Sequence, residues 1–310
     1  MNVALVGTGF WAQQLAAAAA RAGLQVTACY SRSAERCRAF AERLGCRAAA
    51  SLEEALDEVD GAILATPNDT HAEQALAAAA RGVHVFVEKP IADTLADAER
   101  IRDACAAAGV RLAVGHCFRR LGAARRTKEV VDAGALGRVV LAEANFSLTG
   151  TFPEGAWRRY RSRNRGGPLM QLGIHHVDTL AYLLGPIERT TGVLRRVATD
   201  AEIDDVGVAT LEFASGALAA LTGSYVSPRT FSLRLLGTDG VLDYRADLSV
   251  WPHAQRVDQA TTLTLDGDPV EFEQRDMLAE ELAEWARGDE PETGAAEGLA
   301  ALKVILDAVG

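Results

Sequence analysis

The feature that most constrains this chain is a glycine turn placed directly between its first strand and its first helix. An apolar, β-branched run from Val3 to Val6 leads into Gly7-Thr8-Gly9-Phe10-Trp11-Ala12, a G-x-G-x-x-A pattern at the start of the helical segment 10–21. The first glycine permits the sharp turn, the second lets a phosphate approach the backbone, and the small alanine allows close helix packing. The pattern predicts a βαβ unit with a dinucleotide phosphate site at the helix N-terminus.

The same alternation of short apolar strands and alanine-rich helices continues through the first third of the chain. Further strands are predicted at 25–30, 61–65, 83–87 and 111–115, and further helices at 34–44, 52–56, 70–80 and 94–108. Strands separated by helices pair in parallel through right-handed crossovers. We therefore predict an α/β fold whose residues 1–118 form an N-terminal Rossmann domain with a parallel sheet.

The pattern changes after residue 118. A helix at 121–131, a strand at 139–147, a polar loop and a helix at 169–184 come first, followed by strands at 205–213, 217–225, 231–236, 241–244 and 262–265 and helices at 275–287 and 295–308. Ser215-Gly216 and Asp239-Gly240 are typical of tight turns, which predicts an antiparallel meander. Residues 119–310 are thus expected to form a C-terminal α/β domain on a large open, mostly antiparallel sheet. The sequence does not decide whether the last helix packs back onto the first domain.

Composition narrows the possible partners. The 310 residues include 32 Lys and Arg against 42 Asp and Glu, a net charge of −10 that disfavours nucleic acid. No apolar run approaches the length of about 18 residues that suggests a membrane span. Five cysteines without a C-x-x-C pair predict neither a disulfide framework nor a zinc site. Together with the missing export signal, these features predict a cytoplasmic protein without a metal centre.

The end of the second predicted strand bears on the choice of nucleotide. Where sites that prefer NAD carry a carboxylate for the ribose hydroxyls, this chain has Tyr30-Ser31-Arg32-Ser33, followed by Arg36. Two hydroxyls and two guanidiniums suit a 2′-phosphate, so NADP is predicted in preference to NAD. The competing interpretation is that Ser33 only caps the next helix and that the arginines are solvated.

Three further segments carry polar residues of the kind that catalysis needs. Thr66-Pro67-Asn68, with His71, and Glu88-Lys89-Pro90 follow two successive strands, and the carboxyl ends of parallel strands are where such sheets bind ligands. The third segment, 166–178, enters a helix and contains Gln171, His175, His176 and Asp178. On that helix His175 and Asp178 are three residues apart and share a face.

Taken in this order, the motifs resemble those of the Gfo/Idh/MocA family, which comprises glucose-fructose oxidoreductase, inositol dehydrogenase and MocA-like proteins. The resemblance spans most of the chain and is carried mainly by Glu88-Lys89-Pro90 together with Gly173-Ile174-His175. It implies hydride transfer between NAD(P) and the carbinol or ketone carbon of a sugar, polyol or sugar derivative. It also implies an open second-domain sheet that often forms the oligomer interface, hence a homodimer or homotetramer.

The resemblance also assigns residues to roles. Lys89 corresponds to the catalytic lysine and His175 to the histidine that bonds the reacting oxygen, with His176 as the alternative. Gln171, His176 and Asp178 are then expected on the substrate side. The cofactor-binding positions are Gly7, Thr8, Gly9, Phe10, Trp11, Ser31, Arg32, Arg36, Thr66, Pro67, Asn68, His71, Glu88, Lys89, Trp157 and Arg158.

One position departs from the family pattern and keeps other hypotheses open. Gln171 stands where many relatives carry an aspartate, and an amide cannot act as a base. A non-catalytic dinucleotide-binding regulator of the same fold is therefore a competing function, as is non-redox net chemistry through a transient ketone. Locally, Lys89 as a solvated turn residue, His175 satisfied by Asp178, Asn68 as a helix cap, and an anion site in the arginine-rich segment 158–165 remain alternatives.

Overall fold

The computed structural model describes residues 1–288 and 290–310, which form two compact units. The first consists of residues 1–116 and 278–300, and the second of residues 117–277 and 301–310. The first break lies two residues from the boundary predicted after residue 118. Residues 278–300, which the sequence analysis placed in the second domain, are grouped with the first unit.

The elements follow one another in this order. The strands of the first unit are β1 (Asn2–Val6), β2 (Gln25–Tyr30), β3 (Arg47–Ala48), β4 (Gly61–Leu64), β5 (His84–Glu88) and β6 (Leu112–Gly115), and its first helices are α1 (Phe10–Arg21), α2 (Ala34–Leu44), α3 (Leu52–Ala55), α4 (His71–Ala79) and α5 (Leu95–Ala108). The second unit contains α6 (Gly122–Asp132), β7 (Val139–Ser147), α7 (Ile174–Leu184), β8 (Ile187–Arg195), β9 (Val206–Phe213), β10 (Leu218–Ser224), β11 (Thr230–Gly237), β12 (Val241–Ala246), β13 (Thr261–Leu265) and β14 (Asp268–Pro269). Helices α8 (Met277–Arg287) and α9 (Ala295–Val309) close the chain.

The six strands of the first unit form one parallel sheet in the order β3-β2-β1-β4-β5-β6. Residues 3–6 and 61–64 are fully or almost fully buried, as expected of central strands covered by helices on both faces. The predicted Rossmann sheet is confirmed. The two-residue strand β3 was not predicted, because two residues show no periodicity.

Local signals in the sequence set the helix ends of this unit. The Ser33 side chain accepts a hydrogen bond from the Arg36 N–H at the start of α2, and Gly45 ends that helix in the left-handed conformation. Helix α5 is bounded in the same way, by Thr94 and by Gly109. Because these caps satisfy otherwise free backbone groups, the predicted bounds 34–44 and 94–108 agree with the structure to within one residue.

Helix α8 completes the core of the first unit. The Trp285 ring is fully buried, and its centroid lies 5.8 Å from that of Phe86 on β5. Arg111 donates from Nε to the Trp285 carbonyl oxygen at 3.0 Å. An edge-on aromatic pair and a charge-assisted hydrogen bond thus attach this late segment to the sheet.

The second unit is built on an eight-stranded sheet in the order β14-β13-β12-β11-β7-β10-β9-β8. The predicted turns at 215–216 and 239–240 do join antiparallel pairs, β9 with β10 and β11 with β12. The prediction of a single continuous meander is wrong, because β7 lies between β10 and β11 and pairs in parallel with β10. The predicted large, mostly antiparallel sheet is confirmed.

The predicted helix 169–184 consists of two elements. Residues Leu169–Gly173 form a π-helix, and the α-helix α7 begins at Ile174. A Cβ on Gly173 would lie 3.3 Å from a methyl group of Leu221 on β10, so the glycine lets the π-helix approach the sheet closely. Short π-helical segments of this kind occur often at functional sites.

The outer face of the second sheet is rich in short cross-strand contacts. The hydroxyls of Thr191 and Thr210 are 2.8 Å apart, and Asn145 donates from Nδ2 to the Thr222 hydroxyl at 2.6 Å. Val193, Val208 and Leu218 lie on the same face and are about half exposed. Strand β8, which belongs to this face, was not predicted because exposed threonine, glycine and arginine interrupt its apolar alternation.

Two negative findings apply to residues 1–288 and 290–310. None of the helices there combines the length and apolar character that crossing a membrane requires. No group of three histidine, cysteine or acidic side chains in that part of the chain is arranged to hold a metal ion. The five cysteines are free thiols, with Cys29 and Cys37 in buried contact at 3.8 Å between sulfur atoms.

Candidate active site

Four neighbouring strands bring the predicted residues of the first unit to one edge of its sheet. In spatial order β2, β1, β4 and β5 end at Tyr30, Val6, Leu64 and Glu88, so Ser31, Gly7, Thr66 and Lys89 follow at the same edge. Main-chain hydrogen bonds continue past the strands, from Gly7 N–H to the Tyr30 oxygen and from Ala65 N–H to the Val6 oxygen, both at 2.8 Å. The strand order reverses between β1 and β4, which is where open α/β sheets bind ligands.

The two glycines of the turn have different roles. Gly7 has φ +114°, and a Cβ there would collide with the carbonyl group of Ala65. Gly9 has ordinary backbone angles, and a Cβ there would meet no atom within 4 Å. Within the described chain no side chain caps α1, so its first N–H groups are available to an anion. Open space beside free donors fits a pyrophosphate.

Three side chains surround this turn. Thr8 is half-buried, and Phe10 is 48% exposed at the start of α1. The indole N–H of Trp11 lies close enough to the carboxyl group of Glu88 on β5 to lower the pKa of that acid. The first turn of α1 and the end of β5 are therefore neighbours within the first unit.

The segment after β2 shows both features that the sequence analysis had set against each other. Ser33 does cap α2, and Ser31 donates from Oγ to the Ser33 carbonyl oxygen at 3.1 Å. Arg32 and Arg36 are nevertheless exposed, and within the described residues neither guanidinium enters an ion pair or hydrogen bond. Helix capping thus leaves two guanidiniums free to bind an anion.

The loop after β4 is fixed by hydroxyl groups. Thr66 donates to the side-chain oxygen of Gln74 at 2.6 Å, and Thr70 lies 2.9 Å from the Thr66 hydroxyl and 2.8 Å from the Pro67 oxygen. Asn68 is only 3% exposed, and its Nδ2 finds no partner among the described residues. Its interpretation as a helix cap is wrong, because no side chain caps the 3₁₀ turn that it begins or α4. A buried donor of this kind is available to a ligand.

His71 is the most buried member of this group. Its Nδ1 lies 3.0 Å from the Pro90 oxygen and its Nε2 lies 3.0 Å from the Thr66 oxygen. Burial lowers the pKa of this imidazole below its usual value, although the surrounding carbonyl groups favour the protonated form. The ring therefore connects the segment after β4 to the segment after β5.

The end of β5 combines a buried acid with a half-buried lysine. Burial raises the pKa of Glu88 to about 7, and the Lys89 charge and the Trp11 N–H act against that shift. A Cβ on Gly115 of β6 would lie 2.8 Å from a Glu88 carboxyl oxygen, so only glycine leaves room for the carboxyl group. Lys89 is half-buried and is joined to Pro90 by a cis peptide bond.

In the second unit, α7 places two consecutive histidines in an aromatic layer. The His175 ring lies 4.4 Å from the Phe118 ring and 5.7 Å from the Phe146 ring, measured between centroids. His176 is fully buried on Phe231, with Nε2 3.1 Å from the Asn145 main-chain oxygen. Burial lowers the pKa of His176 to about 4, so it is neutral at physiological pH.

The other two predicted residues of this segment have distinct surroundings. Gln171 is buried in the π-helix, so its four-residue spacing from His175 is not that of an α-helix turn. Asp178 forms a buried, bidentate ion pair with Arg119, with nitrogen-oxygen distances of 2.9 and 2.5 Å. Arg119 was not predicted as a site residue, and its only signal is an arginine pair that begins four residues after the end of an apolar strand.

Two of the five arginines in the arginine-rich loop 158–165 are paired with acids. Arg159 binds Asp200 at 3.1 Å and Arg161 binds Asp204 at 3.0 Å, which weakens its interpretation as an anion site. Trp157 and Arg158 lie in a 3₁₀ turn, where the Arg158 guanidinium stacks on the indole at 4.4 Å. This stacking gives the turn a flat cationic surface.

The parallel sheet carries an open glycine turn at the point where its strand order reverses. Glu88, Lys89 and Asn68 lie at the same edge of this sheet. The arrangement is that of a dinucleotide-binding oxidoreductase. Comparison with known families agrees with this class. Residues 1–116 match an oxidoreductase family model with an NAD-binding Rossmann fold, and residues 124–243 match the GFO/IDH/MocA C-terminal domain. The chain belongs to the Gfo/Idh/MocA family, and the predicted resemblance and the predicted NAD(P) cofactor class are confirmed.

Individual relatives cover nearly the whole chain. A D-xylose 1-dehydrogenase (NADP(+)) of Haloferax volcanii is 32% identical over 91% of this chain and 87% of its own length. The structure of an oxidoreductase from Desulfitobacterium hafniense is similar with a TM-score of 0.93 at 37% identity, covering 99% of this chain and 94% of that one. The WlbA dehydrogenase of Bordetella pertussis, solved with NADH and UDP-GlcNAcA, gives a TM-score of 0.82 at 26% identity over 99% and 94%.

The two glycines give a matched test of the nucleotide site. In Gly9→Ala we expect the affinity for NADPH to fall at least about tenfold, because the new methyl group occupies the open space beside the helix N-terminus. The melting temperature should stay close to that of the wild type. Gly7→Ala should instead lower the melting temperature, since its backbone angle and the Ala65 carbonyl oppose a side chain. Calorimetric titration and thermal unfolding measure both effects, and equal loss of stability in the two variants would contradict this assignment.

Glu88 predicts a pH dependence of stability. Its pKa rises from an ordinary 4.5 to about 7 on folding, so between these values the folded state holds a proton that the unfolded state has lost. Stability should therefore be full below pH 4.5 and fall as the pH rises to 7, by at most about 3–4 kcal/mol at about 1.4 kcal/mol per pKa unit. Glu88→Gln should lack this decline. Urea unfolding of both proteins at pH 5 and pH 8 measures it, and a stability difference independent of pH would rule it out.

Proposed function

We propose that this chain transfers a hydride between the nicotinamide of NADP or NAD and the carbinol or ketone carbon of a sugar, polyol or sugar derivative. The observation that carries the proposal is the position of Lys89 at the same sheet edge as the glycine turn, two strands away from it. The dehydrogenase named above as a relative acts on D-xylose, which supports a sugar as the substrate class.

Removal of a hydride from a carbinol carbon requires that a proton leave its oxygen, and reduction requires the reverse. The bound nicotinamide supplies the hydride chemistry, and the protein must hold or move the proton. Lys89 is half-buried, and lysine is readily tuned by partial desolvation to exchange a proton. We assign to Lys89 the exchange of a proton with the reacting oxygen.

His175 is proposed as the second group that bonds this oxygen. Its neighbour His176 is a poor candidate, because its ring is fully buried on Phe231 and its pKa is too low for proton exchange near neutrality. Gln171 is proposed to orient a substrate hydroxyl through its amide, which both donates and accepts hydrogen bonds. Asp178 is proposed to act through its ion pair with Arg119, which anchors α7 within the second unit.

On the cofactor side, the glycine turn is proposed to hold the pyrophosphate, and Thr66, Pro67 and Asn68 the nicotinamide ribose, with the buried His71 supporting this segment from behind. The unpartnered Nδ2 of Asn68 supports a hydrogen bond to a ribose oxygen. Trp157 and Arg158 are assigned to the cofactor on the family resemblance. Ser31, Arg32 and Arg36 are assigned to the 2′-phosphate, which makes NADP the preferred nucleotide.

The outer face of the second sheet is proposed to be the interface of a homodimer or homotetramer. Val193, Val208 and Leu218 expose apolar surface beside the Arg189–Glu212 pair. A second copy of the chain could cover the apolar side chains and contact the charged pair. Sedimentation of the purified protein tests this directly. Free thiols support the cytoplasm as the compartment.

Replacement of Lys89 tests the assigned reaction. We expect Lys89→Ala to lower kcat by about 10²–10⁴-fold with little change in NADPH affinity, because only the proton transfer is lost. Lys303→Ala is the matched control, since that side chain is exposed and paired with Asp307. Absorbance of the reduced nicotinamide is followed over a panel of aldoses, ketoses and polyols. Tight NADPH binding by the wild type without turnover of any of them would instead favour the non-catalytic regulator.

Nucleotide preference has its own test. Arg32→Ala and Arg36→Ala should each weaken NADPH binding about tenfold and leave NADH binding within about twofold, because each removes one charge-assisted hydrogen bond to the 2′-phosphate. Arg38→Ala, an exposed arginine of the same helix α2, is the control. Equal losses for both nucleotides would show that the two arginines do not read the 2′-phosphate.

A further inference from the structure

The His71 imidazole is the one side chain described above that hydrogen-bonds the segments following both β4 and β5. It is fully buried, and its two nitrogens each lie 3.0 Å from a main-chain oxygen, that of Pro90 and that of Thr66. A neutral imidazole has one N–H, so only one of these two oxygens accepts a hydrogen bond from it at a time. Which nitrogen carries the proton therefore decides which segment His71 holds.

The two segments differ in how much they need this contact. The loop after β4 is also fixed by the Thr66, Thr70 and Gln74 side chains. Pro90 has no N–H, so its carbonyl is the only main-chain group through which residue 90 can be hydrogen-bonded. On the other side of Lys89, the backbone N–H of that residue lies close enough to the buried Glu88 carboxyl group to lower the pKa of the acid. Lys89 thus lies between the buried Glu88 carboxyl group and the contact of His71 with the Pro90 oxygen.

We propose that His71 is a positioning residue: it donates from Nδ1 to the Pro90 carbonyl oxygen and thereby fixes the backbone from which the Lys89 amine reaches the substrate. This inference rests on the proposed function of Lys89. Its consequence is kinetic, because displacement of a reacting group by about 1 Å can lower a rate by about 10²-fold while binding is retained. A histidine that served only to fill the core would affect stability and not kcat specifically.

Two conservative substitutions separate the contacts. The side-chain amide nitrogen of asparagine occupies nearly the position of Nδ1, and that of glutamine nearly the position of Nε2. His71→Asn therefore retains a donor toward Pro90, and His71→Gln retains one toward Thr66. We expect kcat to fall no more than about threefold in His71→Asn and about 10–100-fold in His71→Gln, with KM and NADPH affinity nearly unchanged in both. Equal kcat in the two variants, or a larger loss in His71→Asn, would overturn the proposal.

A second measurement uses the wild-type protein and requires no activity. Nitrogen-15 NMR of the histidine side chains, with His71 assigned by comparison with His71→Gln, reports which ring nitrogen is protonated. The proposal expects the proton on Nδ1 at neutral pH. A proton on Nε2 would place a lone pair against the Pro90 oxygen and refute the contact, even if both variants folded poorly.

The failure of this proposal and that of the proposed function remain distinguishable. If the wild type reduces or oxidises no sugar or polyol, the assigned reaction fails, and the NMR result still decides whether His71 holds Pro90. If the wild type turns over and the two variants behave alike, only the positioning role fails.

Discussion

The parallel pairing of β1 with both β2 and β4 is the constraint on which the nucleotide half of the molecule depends. Because all three strands run in one direction, the segments that follow them emerge at one edge, and hydrogen bonds from Gly7 and Ala65 extend the pairing into those segments. The close approach of Ala65 to Gly7 then excludes any side chain at residue 7. The glycine turn is therefore a consequence of sheet geometry, and the open space at Gly9 is what remains for a ligand.

Burial gives the same edge its chemical character. In a region of low dielectric, an ionisable group without full compensation favours its neutral form. Glu88 and His71 both lie in such surroundings. Burial raises the pKa of Glu88 and lowers the pKa of His71, so both side chains favour their neutral forms. Lys89 lies between them and is less buried than either. The structure thus places its neutral groups beside the half-buried Lys89.

Particular residues show why some features could be predicted and others could not. Caps at Ser33 and Gly45 act within a few residues, so the ends of α2 were readable from the sequence. The insertion of β7 between β10 and β11, the π-helix at 169–173 and the pairing of Arg119 with Asp178 depend on packing between distant segments. His71 was identified as a site residue from its motif, but its partner Pro90 is 19 residues away and only the fold reveals the contact. Sequence patterns record local chemistry well and long-range partners poorly.

Under the proposed function, Gln171 limits which residues of the second unit can take part in proton transfer. Its amide cannot accept a proton at physiological pH. Asp178 is committed to Arg119, and burial keeps His176 neutral with a pKa of about 4. Among the four polar residues of this segment, His175 is left as the proposed partner of the reacting oxygen. An aspartate at position 171 would add a second acceptor, so under the proposed function the glutamine leaves the proton on the reacting oxygen to Lys89 and His175.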